Sequence, residues 1–266
     1  MTEIEALISL LQDEDPQIAI IAMEKLLSNQ LFVNNQLKEL QESTDPCLRT
    51  RVHQMESIIT RKNQLEEFTG RVKENRIELW EDLIFLNKII DKSLKTETIT
   101  KSFMVLDEKI PRKQMTTLEI AAFMREQSFS CPNEDILDPG LFLIYEVLEC
   151  SLGNPLLLCI IARQVALKHQ KRLTIVLHKG RHCLVSDESS FIDPQNGWSV
   201  TKLRQNAKVY PCTNRDILLT VISQLYLSAL VEGQLRIIAF LSKMMAALSN
   251  TSVSEFPYPV GENSNI

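Results

Sequence analysis

Apolar positions recur three and four residues apart through most of this chain, so it reads first as a helical protein. In the opening segment Leu7, Leu10, Asp15, Pro16 and Ile18 return as Leu37, Leu40, Asp45, Pro46 and Leu48, a shift of 30 residues. Each copy has an apolar helix pattern, a break at Asp-Pro and a second apolar helix. That second helix carries Ile18, Ile21, Ala22 and Leu26 in one copy and Leu48, Val52, Met55 and Ile59 in the other. Proline is at home in a first helical turn, where its missing N–H costs nothing, and the aspartate before it can cap. Residues 1–75 therefore predict HEAT-like helical repeats. Two units are too few for a free-standing solenoid, so they are expected to dock onto the rest of the chain. An ordinary helical bundle using the Asp-Pro cap twice would leave the same pattern.

Further on, Leu79, Leu83, Leu86, Ile89 and Ile90 predict a helix over 77–94, with Trp80 as an anchor. Leu118, Ala121, Ala122 and Met124 predict another over 116–127. The stretch between, 92–113, is charged and reads as less regular. Leu141–Leu152 is apolar at helical spacing, Gly153-Asn154-Pro155 breaks it, and 156–169 continues as a helix so apolar that it must be buried. The character then changes. Leu173 to Val176 is strand-like, Lys179-Gly180-Arg181 makes a turn, 182–185 is a second strand, and a hairpin-like connection leads into Phe191-Ile192-Asp193-Pro194. A buried helix feeding three short strands makes residues 76–212 an α+β core. Two helices, 216–230 and 234–248, split at Glu232-Gly233, form a TPR-like C-terminal pair within 213–249. The polar tail 250–266 is expected to be disordered.

Composition narrows the choice. With 7 glycines and 6% aromatics among 266 residues, the composition argues against an all-β sandwich. The longest strongly apolar stretches fall short of a membrane span or carry polar interruptions, and the acidic N-terminus is wrong for a secretory signal. A cytoplasmic protein with no membrane partner is expected. The net charge of −5 argues against a nucleic-acid binder, since no basic excess exists to release phosphate counterions. Arg112, Lys113, Lys168, Lys171, Arg172, Lys179 and Arg181 read instead as a solvated face. The six cysteines are Cys47, Cys131, Cys150, Cys159, Cys183 and Cys212, with no C-x-x-C pair among them. They read as reduced thiols, and nothing in the chain implies a metal or cofactor.

A helix followed by strands that carry a histidine and then an aspartate resembles the core of transglutaminase-like, papain-type cysteine enzymes. The blocks Asp138-Pro139, Val147-Leu148-Glu149, Gly153-Asn154-Pro155-Leu156-Leu157-Leu158, Gly180-Arg181-His182 and Phe191-Ile192-Asp193-Pro194-Gln195-Asn196-Gly197 occur in order. As an ordered set they resemble the SirB-one-type transglutaminase-like family, as do the helical flanks on either side. The resemblance implies a nucleophilic cysteine two residues after the glycine, at the start of the core helix, where the helix N-terminus would favour its thiolate. It further implies a histidine base at His182 and an aspartate at Asp193 to orient it. Here the nucleophile position is Pro155, and proline at this place is itself a feature of that branch. The chain departs from the branch at Gly140-Leu141, where an asparagine is usual, and at Arg181, inserted before the histidine.

The leading expectation is therefore a non-catalytic, transglutaminase-like binding or scaffold module whose helical flanks contact a protein or peptide. The rival is a hydrolase or acyl-transferase that uses Cys159, one turn along the same helix face, with His182 and Asp193. Cysteine in a run of leucine and isoleucine is more often an inert core thiol. A metal held by His182, Cys183, Cys159 and Asp193 is disfavoured, because adjacent strand residues point to opposite faces. His53, His169 and His178 read as surface residues. A third reading, a helical interaction domain with a coincidental centre, would show no strand signal.

Overall fold

The computed structural model describes residues 2–28, 40–91, 93–110, 114–134, 136–204 and 207–256. The chain divides into two compact units, Met1–Gly70 and Arg71–Ile266. Among the described residues it is mostly helical, with one five-stranded antiparallel sheet, an α+β protein.

In the first unit, α1 (Glu3–Leu10) opens on a capping box: the Thr2 hydroxyl accepts from the Glu5 N–H and the Glu5 carboxylate accepts from the Thr2 N–H. Both Asp-Pro breaks behave alike. Asp15 Oδ1 accepts from the Gln17 N–H at 2.8 Å before α2 (Pro16–Ser28), and Asp45 Oδ1 accepts from the Cys47 N–H at 2.8 Å before α3 (Pro46–Lys73). Leu7, Leu11, Leu26, Val52 and Met55 meet in one buried cluster, so the apolar stripes of the three helices face one another. Leu37, in the second copy of the pattern, lies outside the described residues.

The second unit begins with α4 (Leu79–Ile90), α5 (Thr96–Glu108) and α6 (Thr117–Glu126). The helix α5 occupies the stretch that reads as irregular in the sequence. Its charged residues face water, while Ile99, Phe103 and Leu106, at helical spacing, are buried and carry the fold. After a 3-10 turn (Pro139–Phe142), capped by Asp138, come α7 (Ile144–Cys150) and α8 (Pro155–Lys168). Gly153 between them is required by space, since a Cβ there would sit 2.7 Å from Val147 Cγ1. Nine residues of α8 are buried, and it packs against β1 (Leu173–His178) and β2 (Arg181–Ser186).

The strands run in the order β4-β3-β2-β1-β5, with β3 (Ser190–Asp193), β4 (Ser199–Lys202) and β5 (Tyr210–Pro211). Lys179 and Gly180, at φ +49° and +78°, form the two-residue hairpin loop between β1 and β2. Positive φ at both central residues gives the turn whose twist matches the flanking strands. That loop sets the register, pairing His178 with Arg181 and Leu177 with His182. Two helices close the unit, α9 (Asn214–Val231) and α10 (Leu235–Ser249), and α9 packs against α4 and the 3-10 turn.

Candidate active site

The N-terminus of α8 and the start of β2 meet at an open cleft of about 410 Å³. Pro155 and His182 both line it, so the nucleophile position and the histidine open onto the same cleft. Proline is favoured at a first helical position, and Asn154 completes the cap by accepting the Leu156 N–H at 2.9 Å through Oδ1. The rest of the rim comes from distant segments. Thr220 and Gln224 project from α9 one turn apart, Gln195 lies just past β3, and Leu141 and Phe142 form an apolar floor.

The sequence pattern did not place Cys131 here, yet it lines the same cleft. It arrives by backbone pairing rather than by any local signal. The Ser130 N–H donates to the Ser151 carbonyl at 2.9 Å and the Gly153 N–H donates to the Ser130 carbonyl at 3.1 Å. Trp198, nearly fully buried, donates its Nε1–H to the Phe129 carbonyl at 2.6 Å and holds the same segment from the sheet side. Thr220 and Gln224 carry no signal in the sequence either, because only the packing of α9 on the 3-10 turn brings them to the rim.

Alternation along the strands separates the histidine from the aspartate. Ile175, Leu184 and Ile192 stand abreast on one face, all fully buried, and His182, two residues from Leu184, shares that face. Asp193, one residue past Ile192, belongs to the other face with Arg181. Its Oδ1 accepts from the Gln195 N–H at 3.1 Å, and its Oδ2 lies 3.7 Å from Arg181 Nη1. Among the described residues no hydrogen bond or ion pair joins His182 to Asp193 or to Cys159. The arginine inserted before the histidine is thus the group that the aspartate meets.

Electrostatics follow from burial. Desolvation pushes the His182 imidazole below its ordinary value of 6.5, so the ring is neutral at pH 7. The unfolded chain takes up this proton at a higher pH than the folded one. Stability from this group is therefore in place above about pH 6.5 and is lost as pH falls below it. The His182 ring-proton NMR titration should accordingly have its midpoint below 6.5. A midpoint above that value would mean that a carboxylate faces the ring after all. Burial pushes the Cys131 thiol up to about 11, with the Asp193 carboxylate adding to the effect. Cys159 is fully buried, off the cleft lining, and its thiol is raised well above the ordinary range by desolvation first and by neighbouring thiols and Asp193 after it. No helix among the described residues is long and apolar enough to cross a membrane.

No curated protein and no solved structure matches the chain. Residues 62–222, more than half of the sequence and the part that contains Pro155, His182 and Asp193, match the transglutaminase-like superfamily, and the chain belongs to that superfamily.

Proposed function

We propose that this protein is a non-catalytic member of the superfamily that works as a protein-binding or scaffold module. One observation carries the reading: the cleft presents Pro155 where the family's covalent route needs a thiolate, while Cys159 on the same helix is sealed in the core. Acyl transfer by that route requires a nucleophile within reach of a base. The proline cap on α8 and the blocks around it support placing the chain in the SirB-one-type branch. The repeated Asp-Pro caps of α2 and α3 support a HEAT-like first unit, and the α9–α10 hairpin a TPR-like pair; such helical layers present grooves that accept peptides.

Timed alkylation with iodoacetamide at pH 7, read by peptide mass spectrometry, tests this. The exposed Cys47 and Cys150 should be modified first, Cys131 slowly, and Cys159 only on unfolding. Fast modification of Cys159 that His182→Ala slows about tenfold would instead establish the rival reading, a cysteine hydrolase or acyl-transferase using Cys159, His182 and Asp193.

A further inference from the structure

A second cleft, of about 370 Å³, lies between α5, α7 and the residues just past α6, and shares no lining residue with the first. Its floor is apolar, built from Leu106, Phe129 and Leu148. Lys101 and Lys109 stand on its rim, at the middle and the C-terminal end of α5, both exposed, and neither is in an ion pair among the described residues. Between them α5 turns Val105 into the lining, 56% exposed, a large apolar side chain with nothing over it. On the opposite wall Glu149 accepts the Ser102 hydroxyl at 2.7 Å.

We infer that this groove docks an acidic amphipathic helix of a partner protein. Lys101 and Lys109 are eight residues apart on α5, so their backbone positions are separated by about 12 Å along the helix at 1.5 Å per residue. A ligand that carries two acidic groups two helical turns apart, with apolar side chains between them, meets Lys101, Val105 and Lys109 in turn. An extended peptide would need backbone partners. The walls offer few, because the N–H and C=O groups of α5 and α7 are mostly spent inside their own helices. Glu149, on the far wall, repels acid there and so favours one orientation of the incoming helix.

The inference rests on the protein-binding reading above but uses a surface that the first cleft does not touch. The probe is a fluorescein-labelled, stapled helix of about four turns, with glutamates seven residues apart and leucines at the turn between. A twin carries lysines in place of the glutamates. Anisotropy with the full chain should show the acidic helix binding about tenfold more tightly than its twin, with affinity falling as salt rises. Lys101→Glu/Lys109→Glu should reverse the preference, which loss of folding alone would not do. Equal binding of the twins, no binding, or unchanged preference in the double variant would overturn the proposal. So would self-association of the chain that the double variant abolishes, since the occupant would then be a second copy. Binding that responds to His182→Ala but not to the lysine variant would also overturn it, and would move the peptide to the first cleft without disturbing the non-catalytic reading.

Discussion

Cysteine in place of Pro155 is expected to react with iodoacetamide at pH 7 about 30-fold faster than Cys131 in the same molecule. With its thiol pushed up to about 11, Cys131 is thiolate in only about one molecule in ten thousand at that pH. A cysteine of ordinary acidity, near 8.5, is about 3% thiolate, roughly 300-fold more. Its weaker intrinsic nucleophilicity gives back about tenfold. The position favours the thiolate further, since position 155 is the first residue of α8 and lines an open cleft beside the neutral His182 ring. The substitution should not disturb the fold, because a first helical position tolerates most residues once Asn154 caps the turn. Restored reactivity should not bring restored acyl transfer. Asp193, which would have to orient the histidine, is turned toward Arg181 and the Gln195 N–H. Mass-spectrometric rates for residues 155 and 131, with ammonia release from a glutamine peptide, measure both parts. A rate at 155 no faster than at 131 would contradict the cleft as described, and ammonia release would show that His182 needs no orienting carboxylate.

Arg71→Met should lower the stability of the second unit by about 3 kcal/mol. Arg71 Nη2 lies 2.6 Å from Asp82 Oδ1, and the aspartate side chain is only 2% exposed. Burial already raises the Asp82 carboxyl from its ordinary 3.8, with Arg71 as the main counterweight. Without the guanidinium the carboxylate would be left buried and unpaired, which costs far more than the pair itself contributes. The partial exposure of Arg71 places the effect at the lower end of the range for buried pairs. The folded state should then bind the Asp82 proton at a higher pH than the unfolded chain does. Stability lost at neutral pH should return as pH falls through that raised value. Urea unfolding of Arg71→Met and of Arg71→Met/Asp82→Leu tests this directly, and the double variant should recover most of the loss. Equal losses in the single and double variants would show that the arginine matters for packing rather than for charge.

Local chemistry made much of this fold legible. Both Asp-Pro caps, the buried helix starting at Pro155, the Lys179-Gly180 turn and the C-terminal hairpin are each written in a few neighbouring residues. Where the pattern is weak, it misleads or falls silent. The helix α5 is hidden by its charge, because only Ile99, Phe103 and Leu106 betray the buried stripe. The strand β4, Ser-Val-Thr-Lys, has no apolar alternation and is a strand only because β3 offers it a ladder of partners.

The site divides in the same way. That residue 155 cannot be a nucleophile, and that a histidine and an aspartate lie on successive strands, is decided by residue identity and order alone. Whether those groups meet depends on register. A shift of one residue along a strand reverses the face of every side chain, and no short sequence window encodes the pairing of β2 with β3. Tertiary structure therefore decided that His182 shares a cleft with Pro155, that Asp193 answers to Arg181, and that Cys131, brought by the Ser130–Leu152 bridge, is the thiol on the cleft while Cys159 is sealed within the core.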